Sequence, residues 1–83
     1  MSATSYESQQ TVYIVQRLDW VYQDFLYEIE DEQPIRAFAD RRDAEKLCRR
    51  LDEEERALWP VAKLARRSGD TDAFYEVIVV ELA

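Results

Sequence analysis

The chain has 83 residues and a formal net charge of −7, which allows one domain with a small core. An aromatic content of 12%, with one Gly and two Pro, is typical of a folded chain rather than a disordered one. The chain contains one Cys and no His. This count excludes a disulfide framework, a Cys- or His-rich zinc centre and a Ser-His-Asp or Cys-His catalytic relay.

The N-terminal part of the chain predicts a tail and a first strand. Residues 1–10 are polar and without periodicity, so we expect a disordered tail followed by a single domain over residues 11–83. Residues 11–18 are rich in β-branched and aromatic side chains, which predicts a strand. Two acids flank two aromatic residues over 19–24, which predicts a turn or bulge after it.

A second strand is predicted over residues 25–30, where apolar and acidic residues alternate toward its end. Residues 31–34 should interrupt this strand, because Pro34 cannot donate a hydrogen bond to a ladder. Residues 35–38 then resume the extended chain briefly. The last strand is predicted over residues 74–82, which are mostly β-branched and aromatic.

Between these strands, the sequence predicts a main helix over about residues 40–58 and a short second helix over about 60–67. Asp40 is a suitable N-cap, and Pro60 ends the first helix and can begin the second. Ser68 and Gly69 should end the second helix. The apolar positions of the main helix recur at helical spacing: Ala44, Leu47, Cys48, Leu51 and Leu58.

The element order predicts an α/β (α+β) fold of ββαβ type. We expect a small, three-stranded, mainly antiparallel sheet with the first strand in the centre and the main helix on one face.

Two features could carry chemistry, but both have simpler interpretations. Cys48 falls on the apolar side of the main helix, where a free Cys usually packs as a small hydrophobic residue. Acidic residues cluster near the second strand and again in the loop at Asp70 and Asp72. Without a Gly at the required spacing they do not form a calcium loop, so we interpret the cluster as a solvated strand edge. The cluster comprises Glu28, Glu30, Asp31 and Glu32.

A basic strip on the main helix leaves a nucleic-acid role open as an alternative. Interspersed acids dilute this strip, and the acidic chain as a whole argues against a non-specific grip on nucleic acid. A second alternative is an acidic mimic that occupies the nucleic-acid site of a partner. The strip comprises Arg41, Arg42, Lys46, Arg49 and Arg50.

The strands carry apolar side chains on both faces, whereas one helix can cover only one face. Either the Trp59 to Arg67 segment covers the second face, or a second subunit does. We expect a homodimer or a contact with another protein. The candidate interface residues are Tyr13, Val15, Tyr27, Trp59, Tyr75, Val77 and Val79.

Three stretches resemble a group of small uncharacterised bacterial proteins: 12–24, 38–51 and 74–77. The resemblance implies an αβ domain of bacterial type, and it carries over no activity and no functional residues. Together these features predict a cytoplasmic, non-enzymatic protein-interaction module without cofactor, metal, small-molecule substrate or membrane span.

Overall fold

The computed structural model describes residues 10–67 and 71–82. Its elements are β1 (Gln10–Gln23), β2 (Leu26–Phe38), α1 (Arg41–Leu58), α2 (Val61–Leu64) and β3 (Tyr75–Leu82). The strands form one sheet in the order β2-β1-β3, and β1 is antiparallel to both neighbours. The predicted ββαβ fold is therefore confirmed, with the first strand in the centre. Gln10, predicted as the end of the tail, instead begins β1 and pairs with Leu82. The rest of the predicted tail, residues 1–9, and the Ser68-Gly69 stop lie outside the described residues.

The β1–β2 hairpin is longer than predicted. Of the turn or bulge expected over residues 19–24, a register shift lies at Asp19 and Trp20, whereas the turn itself falls at Asp24 and Phe25. β1 continues to Gln23, which pairs with Leu26 across a two-residue turn. The aromatic and β-branched residues after Asp19 favour extended chain, and Gln33 Nε2 donates to the Asp19 carboxylate at 2.9 Å. The turn residues Asp24 and Phe25 have φ values of 50° and 71°. Such values are typical of a tight hairpin turn, but a bulky side chain rarely adopts them.

β2 is continuous through the segment where an interruption was expected. Its register against β1 shifts at two points, which leaves Glu30 and Ile35 as extra residues in β2. The second of these bulges lies next to Pro34. A bulge accommodates a residue that lacks an N–H without ending the strand, so Pro34 marks an irregularity rather than a break.

Both helices begin where the sequence predicts. The backbone N–H of Arg42 donates to the Asp40 carboxylate at 2.7 Å, which confirms Asp40 as the N-cap of α1. α2 is a single turn and is shorter than the predicted 60–67 helix. Its continuation leaves helical geometry, and the carbonyl of Arg66 accepts from the backbone N–H of Tyr27 in β2 at 2.7 Å.

The core is small, because few apolar side chains are fully enclosed. In the described part of the chain the buried hydrophobic residues are Val15, Leu18, Ala44 and Phe74. Val15 in β1 and Ala44 in α1 have no exposed surface, and α1 packs against all three strands. None of the described helices is long and apolar enough to cross a membrane.

Candidate functional site

α1 covers the face of the sheet that carries Tyr13 and Val15. Val15 is fully buried, and the guanidinium carbon of Arg41 in α1 lies 5.4 Å from the centre of the Tyr13 ring. The β2 residues paired with them, Phe38 and Arg36, line a groove against α1. Because side chains that oppose each other in paired strands share a face, the same face of all three strands meets the helix.

Because α1 packs on this face, most of the predicted interface residues on it are not exposed to a partner. Val15 has no surface to offer a partner. Tyr75 and Val77 of β3 are half-buried and line a second groove beside α1, and Tyr13 is half-buried under Arg41. Val79 is 49% exposed. Of the five candidate residues on this side of the sheet, Val79 alone is exposed.

The opposite face carries a second set of apolar side chains. In β1 and β3 the alternate positions are Val12 and Ile14, which pair with Val80 and Ile78 respectively. By strand alternation these four side chains lie on the face opposite Tyr13 and Val15. All four are half-buried. We call these four residues the open face.

Tyr27 and Trp59, the remaining candidates, lie in an aromatic cluster around the turn end of the hairpin. Tyr27 is stacked between Tyr22 and Trp59, with ring centroids 5.0 Å apart in both pairs. Trp59 in turn lies 4.9 Å from the buried Phe74. The Trp59 to Arg67 segment thus covers the turn end of the hairpin. The Phe74 end of this contact lies opposite Leu18, which at a rise of about 3.3 Å per residue is about 13 Å along β1 from Ile14.

Two arginine side chains complete this cluster. The guanidinium carbons of Arg67 and Arg56 lie 4.7 Å and 5.4 Å from the Phe74 ring. Arg67 also stacks on Trp20 and donates to the carbonyl of Asp72. Burial, followed by the charge of Arg56, lowers the pKa of Arg67 from its usual value. These two bases are used within the fold, to hold the loop before β3.

Asp52 of α1 connects the helix to the start of β3. One carboxylate oxygen accepts from the backbone N–H of Phe74 at 2.6 Å and from that of Tyr75 at 3.4 Å. The other oxygen accepts from Arg56 at 3.1 Å. Asp52 and Arg56 thus form an ion pair at i,i+4 spacing within α1. The Asp52 carboxylate also satisfies backbone donors of another element, which the i,i+4 spacing alone could not reveal.

The basic strip on α1 does not form an uninterrupted basic surface. Arg41 stacks on Tyr13, and Arg50 lies 4.0 Å from Glu54. The groove of about 560 Å³ between α1 and β2 contains bases and acids together. Four bases and two acids line this groove, so the acids reduce its positive charge without cancelling it. Its lining includes Arg36, Lys46, Arg49 and Arg50 with Asp43 and Glu53.

Cys48 lies in the second groove, between α1 and β3. Burial raises the pKa of the Cys48 thiol above its usual value of 9.0, and the neighbouring charges of Asp52, Glu76 and Glu45 raise it further. A thiol with a raised pKa stays protonated at neutral pH and is a poor nucleophile. The geometry therefore fits the packing role predicted for Cys48.

The acidic cluster follows the β2 edge, as predicted, and its members are exposed. Glu30 accepts from Gln23 Nε2 at 3.1 Å, so part of the cluster stabilises the hairpin. Within residues 10–67 and 71–82 no three Cys, Asp or Glu side chains converge as a metal site requires. Asp72 pairs with Arg56 at 3.8 Å, whereas Asp70 lies outside the described residues.

The sequence pattern already places the open-face residues opposite Tyr13 and Val15, but it does not reveal which set the helix covers. Comparison with protein-family models, curated proteins and solved structures finds no match to this chain. The resemblance to small bacterial proteins therefore stays a prediction.

Proposed function

We propose that this chain is a non-enzymatic protein-interaction module that binds a protein partner, or a second copy of itself, through the open face. One observation carries this proposal. Val12, Ile14, Ile78 and Val80 form paired apolar positions on the sheet face opposite the buried Val15 and opposite Tyr13, which lies against Arg41 of α1. A contiguous apolar patch on a soluble domain usually marks a contact site, because its removal from water favours association.

The chemistry of the chain supports a role without catalysis. The sequence contains no His to act as a general base near neutral pH. Its single thiol has a raised pKa. Cys48 is a free thiol, which is compatible with the reducing, cytoplasmic location that we propose.

Site-specific photo-crosslinking in the producing cells tests the proposal. A photoreactive benzophenone side chain placed at Ile14 lies on the open face, whereas the same group at Leu58 lies on α1, where the native side chain is 77% exposed. We expect a discrete protein adduct from position 14 and none from position 58. Circular dichroism of both purified labelled chains checks that they fold.

The second arm places a charge on the same face. Val12→Lys on the benzophenone-bearing chain should abolish the adduct, because a lysine on an apolar contact loses its hydration when the partner binds. The mass of the adduct distinguishes a second copy from another protein. Equal adducts from positions 14 and 58, or an adduct that survives Val12→Lys, would contradict the proposal.

A further inference from the structure

The two edges of the sheet differ in how they are protected against pairing with another strand. The β2 edge has two bulges, Pro34 and the acidic cluster, and the N–H of Tyr27 is bonded to the carbonyl of Arg66. Bulges, proline and charge are the devices that keep an edge strand from pairing further. β3, the other edge, has none of the backbone devices. It pairs with β1 without a register shift, and it contains no Pro, Gly or Lys.

The hydrogen bonds of β3 toward β1 fix which of its residues point outward. The backbone N–H of Leu18 donates to the carbonyl of Phe74 at 2.9 Å. In an antiparallel ladder, hydrogen-bonded and non-hydrogen-bonded positions alternate. Residues 76, 78, 80 and 82 therefore bond to β1, and the odd-numbered residues direct N–H and C=O to the outer edge. Tyr75 N–H is taken by Asp52. Val77, Val79 and Glu81 have no backbone partner at this edge among the described residues.

We propose that a second copy of this chain pairs with this edge, β3 against β3 and antiparallel, to form a continuous six-stranded sheet. This inference rests on the proposed function, in which the sheet is the interaction surface. It adds the identity of the partner and the place where it binds. Strand addition at a free edge gains backbone hydrogen bonds with no rearrangement of the fold.

The distribution of charge on β3 suits a second copy. Opposed side chains share a face, and a two-fold axis perpendicular to the sheet keeps each face with itself. Even-numbered residues then oppose even-numbered ones in any register of this pair. In the two registers that pair nearly all of β3, Glu76 opposes Val80 or Leu82 and Glu81 opposes Tyr75 or Val77, so no like charges are directly opposed. The residues that direct their backbone N–H and C=O groups to the outer edge are odd-numbered in both copies. These residues therefore oppose each other, and each N–H of one copy can donate to a C=O of the other.

The same symmetry joins the apolar surfaces of the two copies. Both α1 helices lie on one side of the six-stranded sheet, and both open faces lie on the other. Ile78 and Val80 of each copy become neighbours across the new strand pair, and the half-exposed Val79 loses its contact with water. The pair thus produces a larger apolar face than either copy has alone.

Amide hydrogen exchange measured residue by residue tests this pairing, with an internal control in the same strand. The amides of Ile78 and Val80 bond to β1 and should be protected at every concentration. Those of Val77 and Val79 should exchange rapidly in dilute solution, and should become protected by about tenfold or more at about 1 mM. Equal, unprotected exchange of Val77 and Val79 at a concentration where the chain is dimeric would overturn the edge pairing. The open-face proposal would remain, because a dimer formed through that face leaves these amides exposed.

A pair of variants supplies a second readout. Val79→Pro removes an outward N–H that β1 does not use, whereas Val79→Thr keeps both the N–H and a β-branched side chain. We expect the dimer dissociation constant, from sedimentation, to rise about tenfold or more for Val79→Pro and less than about threefold for Val79→Thr. Circular dichroism shows whether Val79→Pro folds. If it does not, the amide hydrogen exchange of Val77 and Val79 in the wild-type chain tests the edge pairing instead. Equal dissociation constants for folded Val79→Pro and Val79→Thr would overturn the inference.

Discussion

At the scale of single residues, Phe74 contributes most to the small core. It is 2% exposed and contacts Trp59, Arg56 and Arg67, so this side chain, just before β3, joins the end of α1 and the segment after α2. Its importance could not be inferred from the sequence, because nothing in the pattern distinguishes it from the other apolar residues before β3. The long-range contacts of Trp59 and Arg67 identify it.

Phe74→Ala should therefore lower the free energy of unfolding by about 3–5 kcal/mol, because it leaves a cavity that the small core cannot close. The measurement is urea denaturation followed by circular dichroism. Phe25→Ala is the matched control, since Phe25 is 79% exposed and its truncation should change stability by less than about 0.5 kcal/mol. Similar losses for the two variants would show that Phe74 is not in the core.

Phe25 is instead a residue under backbone strain. Its φ of 71° brings the Cβ of a bulky residue close to the backbone, a conformation that Gly adopts without cost. Phe25→Gly should stabilise the chain by about 1 kcal/mol relative to Phe25→Ala, which removes the ring but keeps the Cβ. Thermal and denaturant unfolding compare the two. A Gly variant no more stable than the Ala variant would contradict the strain.

Cys48 gives the chain a pH dependence with a defined sign. Because its pKa is raised in the fold, the unfolded chain loses this proton first as the pH rises through about 9. The unfolded state then binds fewer protons than the native state, so stability falls above that pH and is unaffected below it. Wild type should lose stability relative to Cys48→Ser between about pH 8 and pH 10. A constant difference across this range would contradict the raised pKa.

At the scale of elements, the strands and helices could be predicted in type and order, because β-branched runs and helical periodicity are local signals. The length of the β1–β2 hairpin could not be predicted from these local signals. Asp19 and Pro34 resemble strand breakers, but long-range pairing accommodates Asp19 with Gln33 and Pro34 with a bulge. The end of α2 was also misplaced, because the pairing of Arg66 with Tyr27 ends the helix earlier than the local sequence does.

The attachment of α1 to β3 depends on Asp52. Asp52→Ala leaves the Phe74 amide without its acceptor and removes the ion pair with Arg56. We expect the free energy of unfolding to fall by about 2 kcal/mol, within the range for an unsatisfied buried donor. Glu53→Ala on the exposed side of α1 should change stability by less than about 0.5 kcal/mol. Equal effects of the two variants in chemical denaturation would count against this attachment.

At the scale of the whole molecule, the sequence predicts that one helix cannot cover both faces of the sheet. The first turn of α1 lies against Tyr13, and Arg56 in its last turn contacts Phe74. The face of the sheet against which α1 begins could not be predicted from the sequence. Strand alternation defines the two sets, Tyr13 and Val15 against Val12 and Ile14, but both are apolar. The direction in which α1 packs after Asp40 decides between them, and it is a tertiary property.

The central claim is that this chain leaves its sheet incomplete and associates through it. Sedimentation equilibrium from about 10 µM to about 1 mM, a range that covers moderate self-association, tests it most directly. We predict that the mass rises with concentration from that of one chain toward that of two. The mass of a single chain throughout this range would contradict the claim, since it would show that the molecule is stable in solution with its apolar face and its β3 edge exposed.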